Sequence, residues 1–99
     1  MSTSTNHTVD SILKSLGYID PVTAAKQQAR MILLGRLARY QAEMQALQSK
    51  WGLTLAQMRA KYEAVSEEDF AADDDYMQWQ WYADAAADIE SQLDVLKAA

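Results

Sequence analysis

The sequence predicts an all-α protein, an antiparallel hairpin of two long helices with short flanking helices that pairs into a dimeric helical bundle. Three observations predict it. Turn-forming residues are scarce, with 3 Gly and 1 Pro in 99 residues, so strands joined by tight turns have no punctuation. Two long stretches carry apolar residues at alternating steps of three and four, the period of helices packed lengthwise. A core limited to two helices in so short a chain is thin, which calls for further burial by a partner.

Residues 1–8 read as a Ser/Thr/Asn-rich tail with little to bury, and residues 9–99 as a single helical domain. Thr8 is placed to cap a short helix in which Val9, Ile12, Leu13 and Leu16 recur at helical spacing, with Gly17 as its stop. Asp20 then offers an N-cap and Pro21 the first helical position, and no breaker follows until Gly52. A helix of that span is roughly 45 Å long at 1.5 Å per residue. Its seam is Leu33, Leu37, Tyr40, Met44, Leu47 and Trp51. Val22, Ala25, Ala29 and Ile32 form a second seam, and Met31, Ile32, Leu33 and Leu34 together nearly encircle the helix. A helix apolar all round is buried all round, so Met31, Ile32 and Leu34 are expected to pack against the first helix, a second copy or another protein.

After Gly52, Thr54 and Gln57 form a capping box, and Leu53 is placed to staple onto Met58, predicting a helix from Leu55 to about Ala64. Ser66 with Asp69, and Val65 with Phe70, repeat the device and predict one further turn. Asp73, Asp74 and Asp75 suit a helix N-terminus, which puts the last helix at about Asp75 to Lys97. Its seam is Trp79, Tyr82, Ala86, Ile89, Leu93 and Leu96, the expected antiparallel mate of the first. Met77, Trp81 and Ala85 run along another face, because Trp81 lies about 200° around from Trp79.

The chain carries no Cys, which removes disulfides, thiol nucleophiles and cysteine-ligated zinc. His7, the single imidazole, stands in the polar tail, so a His-centred triad or metal site lacks its central part. The Asp run lacks the Gly and closing Glu of a calcium loop, and Asp84 with Asp88 lacks the Glu-x-x-His elements of a di-metal bundle. The expectation is a protein without catalytic residues, metal or cofactor. No run of 18 apolar residues and no basic-then-apolar leader is present, which predicts a soluble cytoplasmic protein without membrane contact.

Net charge is −5, unevenly divided. Residues 1–50 hold six bases against three acids, a balance of +3, and residues 51–99 hold three bases against eleven acids, a balance of −8. The halves could neutralise each other across the hairpin, the acidic half could face a basic partner, or the basic half could touch nucleic acid. For nucleic acid the candidates are Lys26, Arg30, Arg36 and Arg39 on the long helix. For a protein partner they are Met77 and Trp81, with Asp84 and Asp88 on the same helix, since Trp is enriched among interface anchors and the helix is acidic.

Ile12-Leu13-Lys14-Ser15-Leu16-Gly17-Tyr18, Asp20-Pro21 with Ala24-Ala25, Lys50-Trp51-Gly52-Leu53-Thr54, Glu68-Asp69-Phe70, Asp73-Asp74 and Trp79 form a series with a familiar order. It resembles the TumA-type antitoxins found beside TumE-family toxins, whose segments read ILKxLGxxDPxxAA, a KYGM-like helix stop, EEDFxxxDD and a following Trp. The resemblance spans about residues 9 to 96. Trp51 stands where the family has Tyr, and Gln80-Trp81 is more aromatic than the family pattern. The resemblance implies an antitoxin that neutralises a cognate toxin by direct contact and represses its own operon. The alternatives are a structural or adaptor homodimer with no toxin, and a weak DNA-binding protein.

Overall fold

A computed structural model describes residues 8–17, 20–64 and 70–98. Four helices occupy them in the order α1 (Val9–Ser15), α2 (Pro21–Trp51), α3 (Leu55–Ala64) and α4 (Phe70–Ala98), with no strand among the described residues. The class is all-α. The further turn expected around Ser66–Asp69, and the tail up to His7, lie outside the described residues.

Helix ends follow local chemistry. Thr8 Oγ1 accepts from the Ser11 amide, and Ser11 Oγ accepts from the Thr8 amide, a reciprocal box that starts α1. Gly17 follows at φ +95°, a left-handed conformation that a Cβ would strain. Asp20 Oδ1 accepts from the Thr23 amide at 2.7 Å to start α2. That bond, followed by the Thr23 hydroxyl, holds the Asp20 carboxyl below its ordinary pKa. Gly52, at φ +65°, ends the helix where expected. Thr54 and Gln57 cap α3 reciprocally at 3.2 and 2.9 Å.

The start of α4 departs from the sequence reading. It begins at Phe70, five residues before Asp75, so the Asp run lies inside the helix. Ala71 and Ala72 are strong helix formers, and Asp73 still falls in the first turn, where the helix dipole favours a negative charge.

The chain divides into two compact units at the Ile32–Leu33 boundary. The first comprises α1 and the beginning of α2; Ala24 is buried there, whereas Val9, Ile12, Leu16, Val22, Met31 and Ile32 are exposed.

The second unit holds the main core. Leu47, Met58, Ala72 and Trp79 form its buried centre, with Met44, Trp51, Leu53, Leu55, Tyr76 and Tyr82 packed against it. Along α2 from residue 33 to 51, the six seam residues are buried or half-buried and every other residue is exposed, as a heptad seam requires. Trp51 meets Asp75 at one end, and Tyr40 meets Tyr82 farther along, so the two segments run antiparallel. Ile89 and Ala86 are buried and Leu93 is half-buried. Among the described residues no helix is long and apolar enough to cross a membrane.

Candidate protein-binding face

Met77, Trp81, Asp84 and Asp88 stand at i, i+4, i+7 and i+11 on α4. At about 100° per residue they fall within about 60° of arc and span roughly 16 Å along the axis. The seam residues Trp79, Ala86 and Leu93 lie on the opposite side by the same geometry, and Trp79 is only 3% exposed. Met77 is 62% exposed and Trp81 57%, with Asp84 and Asp88 also exposed. The four side chains thus form one outward stripe in which two large apolar groups are followed by two carboxylates.

Two tyrosine rings pack against Trp81. Tyr40 of α2 meets it edge-on at 5.5 Å between ring centroids, and Tyr82 meets it at 5.4 Å. Tyr40 and Tyr82 are 5.7 Å apart, completing a triplet that fixes the indole on one side and leaves the other open. A side chain with two torsions, packed edge-on against neighbouring rings, loses little conformational freedom on meeting a partner, which favours its use as an anchor.

A second group links α3 to α4. Arg59 Nε donates to the Tyr76 hydroxyl at 3.1 Å and its Nη2 donates to Gln80 Oε1 at 2.7 Å. Gln80 Nε2 in turn donates to Asp84 Oδ1 at 2.9 Å. Tyr62 stacks on Tyr76 at 4.6 Å. The bond to Tyr76 raises the already high pKa of the Arg59 guanidinium, with Glu63 and Asp84 adding to the effect. No spacing rule pointed to Arg59, because its partners come from another helix.

At the closed end of the hairpin Asp75 Oδ2 accepts from Lys50 Nζ at 2.6 Å and from Trp51 Nε1 at 2.8 Å. These bonds hold the Asp75 carboxyl below its ordinary pKa, the Lys50 contact foremost. Among the described residues, ion pairing between the two half-chains is confined to this contact. Among the described residues the ion pairs are Lys50–Asp75 and, within α1, Lys14–Asp10.

Of the expected nucleic-acid contacts, Arg30, Arg36 and Arg39 are exposed and Lys26 is half-buried. Met31, Ile32 and Leu34, expected to be covered, are exposed in the isolated chain. No group of three His, Asp or Glu side chains converges among the described residues in a way that could hold a metal ion. No protein-family model, curated protein or solved structure matches the chain.

Proposed function

We propose that the chain is a cytoplasmic antitoxin that neutralises a cognate toxin by direct protein contact. The observation that carries this reading is the outward stripe of Met77, Trp81, Asp84 and Asp88, two exposed apolar anchors in line with two carboxylates on a helix that is itself acidic. A buried Trp supplies binding energy, and carboxylates beside it select a basic surface and speed encounter with it. The −8 balance of residues 51–99 extends that selection beyond the stripe. Masking a basic functional surface requires no catalytic group in the masking protein. The order of motifs shared with TumA-type antitoxins supports the same reading. Arg30, Arg36 and Arg39 would serve operon autoregulation by contacting phosphates, a role that predicts retention on DNA at low salt and steep loss as salt rises.

The test is co-expression with the product of the adjacent gene. Growth arrest caused by that product alone and relieved by this chain supports the reading; arrest unaffected by this chain, or no arrest, rejects it.

The exposure of Met31, Ile32 and Leu34 favours a second reading, a structural or adaptor homodimer in which a second copy covers these side chains. Light scattering separates the two. A stable homodimer lost on Met31→Ser or Leu34→Ser substitution supports self-association, whereas a monomer at micromolar concentration excludes it.

A further inference from the structure

Asp84 is the stripe carboxylate whose side chain is tied back to another helix. Its Oδ1 accepts from Gln80, and Gln80 is oriented by Arg59, whose fork also grips Tyr76. Oδ1 is therefore engaged on the α3 side, and the remaining lone pairs of the carboxylate are available to a donor approaching the stripe. Arg59 suits this task because its planar fork places two donors in fixed relation, which a Lys ammonium does not. Tyr62, stacked on Tyr76, braces the hydroxyl that receives Nε.

We infer that Arg59 is a positioning residue for the binding face, acting through Gln80 to hold Asp84 in the rotamer that receives a guanidinium or ammonium of the partner. This rests on the proposal that the α4 stripe meets a basic protein surface. Positioning and simple electrostatics predict opposite signs. Deleting the Arg59 charge leaves the face more acidic, so electrostatics alone tighten the grip on a cation; loss of positioning loosens it. Gln80→Ala cuts the relay with no change in charge and places a good helix former in α4.

The experiment titrates nona-arginine peptide at low ionic strength into the full-length chain and into Gln80→Ala, Arg59→Ala, Arg59→Lys, Asp84→Asn and Met77→Ala/Trp81→Ala variants, each checked for unchanged circular dichroism. The Hα–Hβ scalar couplings of Asp84 are measured in parallel by NMR. Gln80→Ala, Arg59→Ala and Arg59→Lys are each expected to weaken binding about three- to tenfold, the size of one exposed charge-assisted hydrogen bond. The Asp84 couplings are expected to move from a single rotamer to an averaged value in all three. Tighter binding by Arg59→Ala, unchanged affinity in Gln80→Ala, or unchanged Asp84 couplings overturns the inference, as does an Asp84→Asn variant that binds as the parent does. Failure of the parent chain to bind nona-arginine overturns it together with the acidic-face reading. Binding that Met77→Ala/Trp81→Ala weakens while the relay variants do not leaves that reading standing and removes only the role of Arg59.

Discussion

The Trp51 indole nitrogen donates to Asp75 Oδ2 at 2.8 Å, and the same oxygen receives Lys50 Nζ at 2.6 Å. One carboxylate on α4 thereby fastens the last turn of α2 at the closed end of the hairpin. Lys61 of α3 approaches the face of the same indole at 5.2 Å, so three helices meet around Trp51. The Asp75 side chain is 16% exposed whereas that of Lys50 is 60% exposed, which divides the two bonds unequally in energy.

Removing the carboxylate should therefore cost more than removing the ammonium. Asp75→Ala is expected to lower stability by about 1–2 kcal/mol, because it strands the half-buried indole N–H. Lys50→Met is expected to fall within about 0.5 kcal/mol of the parent, as exposed ion pairs do. Urea denaturation midpoints check the difference.

Acid should weaken the fold through the same group. The folded-state pKa of Asp75 is depressed from 3.8, as is that of Asp20. Their contributions are fully present above the unfolded-state pKa and are lost as pH falls through the folded values. Stability from this source is expected to be level from neutral pH to about 5 and to decline below about 4. Asp75→Asn should flatten part of that decline, measured as urea midpoint against pH.

Met58 is 2% exposed and sits where α3 meets the core of the second unit, against Leu47, Ala72 and Trp79. Met58→Ala is expected to cost about 2–5 kcal/mol, enough to unfold a large fraction of so small a protein, whereas Met58→Leu should cost less than about 1.5 kcal/mol. Thermal unfolding followed by circular dichroism distinguishes them.

The ends of the helices were legible in the sequence because each end is a local event. Asp20-Pro21, Gly52 and the Thr54–Gln57 box are complete within four residues, and α2 begins and ends, and α3 begins, where those signals stand. The two long seams were equally legible, since the period that puts Leu33 through Trp51 on one face belongs to one helix; the second set of Val22, Ala25, Ala29 and Ile32 was not, as only Ala29 among them is half-buried and the buried residue there is Ala24. The start of α4 was misplaced because a cluster of Asp is compatible both with a position before a helix and with its first two turns, and Ala71-Ala72 resolves it only through helix propensity. Partners distant in sequence were not legible at all. Asp75 lies 24 residues from Trp51 and Gln80 lies 21 from Arg59, and each contact exists because packing brings the helices together. The exposed stripe was only half legible, as the period gave the face of Met77 and Trp81 but not the Tyr40 ring that steadies the indole.

Two tryptophans two residues apart on α4 should behave oppositely. Trp79→Ala is expected to cost about 3–5 kcal/mol, because Trp79 fills the core. Trp81→Ala should cost about 1 kcal/mol, the worth of its edge-on contacts with Tyr40 and Tyr82. Equal costs in chemical denaturation would contradict the assignment of the two faces.

The proposal that the outer stripe of α4 grips a basic protein partner is tested most directly by calorimetric titration of the candidate toxin, the adjacent gene product, into the parent chain and into the Met77→Ala/Trp81→Ala variant. The variant is expected to remain folded by circular dichroism and to lose at least about 100-fold in affinity, the scale of a truncated aromatic anchor. A folded variant that binds the toxin as tightly as the parent would contradict it.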